Sequence, residues 1–262
     1  MTSLAYTASD TSTMFTRQIK RVIRSGYYTF VIGMPVVILL LFVYVFGATL
    51  GAGIVPGGDQ QDYLEFVTPG IILFTIAGLM QMVSIAISQD MVEGIVARFR
   101  TMSIARGAVH AGHVWAGVAQ GAVATAITLG LAILLGFRPT TGPLEWLLLV
   151  GVLLLIMLAL IWFAVALGTV AKSVESASNL PMPFLLLPFF GSAFVPTDSM
   201  PAWLQWFAEF QPFTPFIETV RGLLLGTPIG WNGVLTVAWC LVIGVSGYVW
   251  SRYLYARKSV RG

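Results

Sequence analysis

Charge is what this 262-residue sequence has least of. Asp, Glu, Lys and Arg together make up 10% of it, 14 basic residues and 11 acidic ones, against about 25% in an ordinary soluble domain. A water-soluble fold of this length needs a polar shell that so few charges cannot supply, so with 57% hydrophobic residues the bilayer must be the solvent. Cysteine is also scarce. Cys240 is the single one; it sits in an apolar run, reads as a small filler, and excludes both a disulfide framework and a thiolate metal cluster. The net charge of +3 is too small to indicate a nucleic-acid partner.

Catalytic motifs are missing too. A P-loop needs Gly-Lys followed by Ser or Thr, whereas Lys20, Lys172 and Lys258 follow Ile19, Ala171 and Arg257, so any nucleotide hydrolysis must come from another chain. His110 and His113 have no third ligand nearby in sequence and read as interfacial polar anchors at the foot of a span, not as a metal site. Gly191-Ser192-Ala193 does not continue into a nucleophile elbow. The apolar runs hold no Asp, Glu, Lys or Arg, and Gln81, Gln120 and Asn179 are the main polar groups at membrane depth, which disfavours a carrier driven by ion binding at the midplane.

What is present is a series of spans. Crossing the hydrocarbon takes about 20 apolar residues. Residues 27–50, 67–88, 113–137, 146–171 and 229–251 qualify, and none contains Asp, Glu, Lys or Arg. A sixth, 177–196, is uncharged but contains Pro181, Pro183 and Pro188. It is expected to be a kinked or broken span packed inside the bundle, where neighbours satisfy the freed carbonyls. The first run is too long for a signal peptide and is read as retained. Gly117 and Gly121 permit close helix packing. The expected fold class is therefore all-α and polytopic with six transmembrane helices. With the N-terminus inside, Arg17, Lys20, Arg21, Arg24, Arg98, Arg100, Arg106, Lys172, Arg252, Arg257, Lys258 and Arg261 lie on the cytoplasmic side and only Arg138 and Arg221 outside, so both termini are expected in the cytoplasm of a cell-membrane protein.

Three further segments are patterned. In residues 14–25 a helical winding puts Phe15, Ile19, Val22 and Ile23 on one face and Arg17, Lys20, Arg21 and Arg24 on the other. This predicts an N-terminal amphipathic helix in the headgroup plane, its bases against anionic lipid. Residues 90–106 (DMVEGIVARFRTMSIAR) are too short to span and gather Val92, Ile95, Phe99 and Met102 on one edge, which suits docking on a partner protein better than surface packing. Residues 199–226 divide at Pro212 and Pro215 into pieces near 201–209 and 214–225, rich in Trp and Phe with Glu209, Glu218 and Arg221 as their charges. They suit two short external helices, serving either as a gate over a translocation path or as an interfacial anchor.

Four stretches, YLEFVTPGII (63–72), DMVEGIVARFRTMSIARG (90–107), GSAFVPTDSMPAWL (191–204) and PFTPFIETVRGLLLG (212–226), in this order resemble the permease subunit of type-2 ABC exporters, especially the daunorubicin-resistance group and its lipo-oligosaccharide and polysaccharide relatives. The resemblance covers nearly the whole chain. It implies a cytoplasmic coupling helix over 90–106, with Asp90, Glu93, Gly94, Arg98, Phe99, Arg100, Met102 and Arg106 engaging a separate ATPase. It implies an elbow helix over 14–25 and paired external re-entrant helices over 199–226, with Pro196, Pro201, Trp203, Pro212, Pro215, Glu218 and Arg221 as gate residues. One departure is Met102-Ser103, which stands where many relatives carry Pro. The implied assembly has two permeases, identical or paralogous, and two ATPases. The partner ATPases would use ATP and Mg, and this chain would bind no cofactor. Its cargo would be a drug or other amphipathic compound, or a lipid-linked glycan; a membrane scaffold that transports nothing is the reading from a different class.

Overall fold

The computed structural model describes residues 4–54, 58–93 and 108–260, and every regular element among them is helical. Helix α1 (Leu4–Ser25) begins earlier than the expected elbow segment. It stops at Gly26, whose φ of +70° lies in the left-handed region that a residue without Cβ enters freely, and the chain turns there into α2 (Tyr27–Leu41). A π turn over Phe42–Phe46 joins α2 to α3 (Gly47–Ile54). Then come α4 (Gln60–Val92), α5 (Ala108–Leu134) and α6 (Pro143–Val170). The short helices α7 (Val174–Asn179) and α8 (Met182–Leu186) lead into a 3-10 turn, Leu187–Phe190. After a second such turn, Thr197–Ser199, the chain forms α9 (Ala202–Phe210), α10 (Phe213–Leu225) and α11 (Asn232–Val260).

Among the described residues, five helical stretches are long and apolar enough to cross a membrane: Val31–Ile54, Gln60–Val92, His110–Leu134, Pro143–Val170 and Asn232–Leu254. They coincide with the five uninterrupted apolar runs. Helix α4 is the hub, with α2, α3, α5, α6, α7 and α10 all packed on it. Its 33 residues measure about 50 Å at 1.5 Å each, well beyond a hydrocarbon core of about 30 Å. Both ends therefore reach polar depth and carry the residues to match. At one end Asp59 Oδ1 accepts from the Gln61 and Asp62 amides at 2.7 and 3.2 Å, while the Asp59 amide donates to Asp62 Oδ2 at 2.8 Å. This reciprocal cap satisfies amides the helix itself cannot.

The expected sixth crossing is not one helix. Between Ser173 and Phe194 the chain runs antiparallel along α4: Ser88 Oγ donates to the Ser173 carbonyl, Ser84 Oγ to that of Ala177, and Gln81 Nε2 to that of Ser178, at 3.3, 2.9 and 3.0 Å. Farther on, Phe189 packs on Phe74, Ala193 on Gly70, and the Phe194 carbonyl accepts from the Tyr63 hydroxyl at 3.2 Å. The reason for the break is in the prolines. Pro181 has no N–H to return to the Ala177 carbonyl four residues earlier, and Ser84 supplies the missing donor. A Cβ on Gly70 would sit 2.6 Å from the Ala193 Cα and carbonyl oxygen, so only glycine admits this approach. Helix α11 lies parallel to α6, with Gly244 against Ala159 and Gly247 against Phe163. Since α6 ends beside the Ser88 level of α4, the end of α11 emerges at the same face of the bundle as α1, which packs on the start of α5.

Candidate transport site

At the α1 face of the bundle lies a charged cluster centred on Asp90. Its carboxylate is fully buried in the last turns of α4. Arg17 forks onto it, Nη1 to Oδ2 at 3.0 Å and Nη2 to Oδ1 at 2.9 Å. Arg21 Nη1 donates to Oδ1 at 2.7 Å and its Nη2 to Gln89 Oε1 at 2.6 Å. Gln18 Nε2 donates to Oδ2 at 3.0 Å, and His113 Nε2 lies 3.1 Å from the same oxygen. Three elements, α1, α4 and α5, are thereby tied at one carboxylate. A buried charge persists only when it is paired and hydrogen-bonded in this way.

Two sequence expectations change here. The basic face of α1 does not turn wholly toward lipid: Arg17 and Arg21 point into the protein, while Lys20 and Arg24 remain exposed. The buried stripe of α1 is Met14, Gln18 and Val22, one residue round from the apolar stripe read from the winding, because the acceptor on α4 draws Arg17 and Arg21 inward. His110 and His113 are interior residues instead of interfacial anchors. Of the residues assigned to coupling, Asp90 faces inward in this cluster, and Glu93 is exposed at the end of α4 beside Arg17, Lys20, Arg21 and Arg24. Gly94, Arg98, Phe99, Arg100, Met102 and Arg106 lie outside the described residues.

Beside the cluster a cavity of about 740 Å³ lies between α1, α2, α4 and the broken α7–α8 segment, lined from Arg21 and Gln89 to Phe74. From Gln89 to Phe74 α4 rises about 22 Å. Most of the lining is apolar (Val31, Met34, Pro35, Met82, Ile85), with Arg21, Thr75, Gln81, Gln89 and Ser178 as its polar members. Gln81 donates to the Ser178 carbonyl and hydroxyl at 3.0 and 3.1 Å. This volume falls in the range of drug-sized ligand sites.

At the opposite end the two expected external helices form, with different fates. Helix α9 carries an exposed aromatic row of Trp203, Trp206, Phe207 and Phe210. It opens after Pro201, and Pro196 opens the turn before it; each precedes a helical turn whose first N–H groups need no internal partner. Helix α10, led by Pro212 and holding Pro215 in its first turn, is almost wholly buried against α4, α6 and α11. Arg221 fixes it there. Its Nη2 donates to the carbonyls of Phe66 at 3.0 Å and Ser192 at 2.7 Å, Nη1 pairs with Glu218, and the guanidinium lies 4.1 Å from the centroid of the Phe66 ring. Of the residues assigned to a gate, Pro201 and Trp203 are exposed, Pro196 and Glu218 are half-buried, and Pro212, Pro215 and Arg221 are buried. Sequence reasoning missed the partners Gln18, His113, Phe66 and Ser192. The one available signal was that Asp90 is the first acid after an uncharged run and α1 offers two arginines one helical turn apart.

Residues 9–225 match the ABC-2 type transporter family. The daunorubicin resistance ABC transporter permease protein DrrB1 of Streptomyces coeruleorubidus is 30% identical over 200 residues, covering 76% of this chain and 69% of that protein. The probable doxorubicin resistance ABC transporter permease protein DrrC of Mycobacterium tuberculosis is 30% identical over 207 residues, covering 77% and 72%.

Proposed function

Since the chain belongs to the ABC-2 type transporter family as a non-catalytic, multi-pass permease subunit, we propose that it moves a drug or similar amphipathic compound outward across the cell membrane. A separate ATPase, present in two copies against two permeases, supplies the work and uses the ATP and Mg. In this reading the α1 face is cytoplasmic, as the Lys and Arg distribution favours, and both termini lie there. The segment 173–194 is the sixth crossing, and α9 and α10 are the external re-entrant pair.

The lateral cavity carries this proposal. It extends along α4 from Gln89, at the α1 face, to Phe74 and is lined mostly by apolar side chains, as a path for a lipid-soluble cargo requires. Its lining includes Arg21 and Gln89, next to the Asp90 cluster, and Gln89 stands five residues ahead of Gly94, where the proposed coupling segment continues. Movement imposed on residues 94–107 by an ATPase would reach α4 and α5 directly and α1 through Asp90. The two relatives named for daunorubicin and doxorubicin resistance favour a drug over a glycan as cargo.

The test is association and turnover with the candidate ATPase in lipid, for wild type and a Glu93→Ala, Arg98→Ala, Arg100→Ala triple variant. We expect wild type to bind the ATPase and the variant to lose association or substrate-stimulated hydrolysis. A wild-type chain that stays folded and binds no ATPase would instead be a scaffold.

A further inference from the structure

A groove of about 910 Å³ lies between the basic face of α1 and the end of α4, on the outer side of the Asp90 cluster. Thr13, Thr16, Arg17, Lys20 and Arg24 follow one another along a stripe of α1 at helical spacing, and Arg21 joins them in the lining. Glu93 is the one acid of the groove among the described residues. Two of the four bases are held from behind: Asp90 takes Arg17 by both Nη atoms and Arg21 by one. The other two, Lys20 and Arg24, are exposed and have no ion-pair partner among the described residues. Four bases set against Asp90 and Glu93 leave the groove with two positive charges that nothing in the chain offsets.

Depth identifies the anion. Ile76 is midway along α4, and Asp90 stands 14 residues farther on, about 21 Å at 1.5 Å per residue. With the helix centred on the bilayer, the hydrocarbon ends about 15 Å from the midplane and the headgroup layer about 20–22 Å from it. The groove therefore sits at the level of the lipid phosphates. A protein partner would have to enter the headgroup layer to fill it, whereas a phospholipid is already there.

We propose that this groove is a binding site for one anionic phospholipid of the leaflet on the α1 side, its phosphodiester held between Lys20, Arg24 and the anchored Arg17 and Arg21. Seated there, the lipid ties α1 to the end of α4 a second time, beside Asp90. This differs from the general attraction of a basic helix to a charged surface, because the position of the bases decides the affinity and their number does not. The site stands whichever compound the chain carries.

The full chain purified in dodecyl maltoside tests the assignment with phosphatidylglycerol, phosphatidylcholine and inorganic phosphate as probes, read by melting temperature and by native mass spectrometry of retained lipid. Wild type should gain about 5–10 °C at a phosphatidylglycerol concentration about 100-fold above its Kd, retain one copy per chain, and respond to neither of the other probes. Lys20→Gln combined with Arg24→Gln should weaken phosphatidylglycerol about 30-fold, each base near an anionic headgroup contributing about 5-fold. Lys172→Gln combined with Arg252→Gln removes the same charge from the same face of the bundle, away from the groove, and should weaken it by about 2-fold at most. Glu93→Gln should tighten it several-fold. Equal weakening by the two double variants would reduce the effect to diffuse surface charge and overturn the site. So would a wild type stabilised alike by phosphatidylcholine, which carries no net charge for the bases to read. Inorganic phosphate matching phosphatidylglycerol would make the groove a site for a soluble anion and overturn the lipid assignment. A Lys20 and Arg24 double variant that loses the ATPase yet binds phosphatidylglycerol like wild type would overturn it too, in favour of a protein dock.

Discussion

Replacing Asp90 by Ala removes the acceptor on which Arg17, Arg21, Gln18 and His113 converge. Taking one partner from a buried ion pair costs about 3–5 kcal/mol when the other charge stays buried. Here the two guanidinium side chains keep 30% and 28% of their surface exposed and can swing to water, so the cost should fall to about 2–3 kcal/mol. At roughly 2–4 °C per kcal/mol for a chain of this size, Asp90→Ala should melt about 4–12 °C below wild type in lipid nanodiscs. Asp90→Asn keeps the shape and loses the charge, and should fall between. Arg21→Ala alone should cost about 1 kcal/mol and less than that in the Asp90→Ala background, where only its bond to Gln89 is left to lose. The variant should also weaken substrate stimulation of the ATPase, because α1 would no longer follow α4. Melting of Asp90→Ala within 2 °C of wild type would refute the reasoning, since a fully buried carboxylate with these partners would then be holding nothing.

Three other substitutions test the rest of the bundle. Ser84→Ala should destabilise by about 1 kcal/mol by orphaning the Ala177 carbonyl, and the loss should vanish in a Pro181→Ala background, where the restored N–H serves that carbonyl instead; thermal denaturation of the four-member cycle reads this out. Arg221→Met should loosen α10, seen as faster amide hydrogen exchange over 213–225, and Arg221→Lys should rescue it only in part, because a point-like ammonium cannot reach Glu218 on one side and the Phe66 and Ser192 carbonyls on the other as the two ends of a planar fork do. Gly70→Val should push residues 192–194 off α4 and abolish the Tyr63 to Phe194 bond, measured as a drop in melting temperature alongside an unchanged helical circular dichroism signal.

Composition and apolar run length were enough to find the five spanning helices, and proline spacing foretold the break in the sixth segment together with its cure by side chains of a neighbour, since both follow from local chemistry. Helix ends were read less well. The apolar run at 67–88 was drawn to the charges, while the helix continues from Gln60 to Val92 because backbone hydrogen bonding does not stop where hydropathy does. The coming together of Arg17 with Asp90, 73 residues apart, and of Arg221 with Phe66, 155 apart, depends on how the helices pack, which no periodicity within one helix encodes. For the same reason the winding of α1 separated its faces correctly and sent the arginines to the wrong neighbour. Phe42, Phe74, Phe189 and Phe194, brought into ring contact from three segments, look in sequence like ordinary apolar filler.

The most direct measurement is ATP-dependent accumulation of a lipophilic fluorescent compound in inverted membrane vesicles that contain this chain and its ATPase, beside vesicles holding either subunit alone. The account predicts uptake into the vesicle lumen only with both subunits and ATP, abolished when the ATPase is inactivated. Uptake without the permease, or none with the assembled and hydrolysing complex for any compound that stimulates it, would contradict the claim that this chain is the export path.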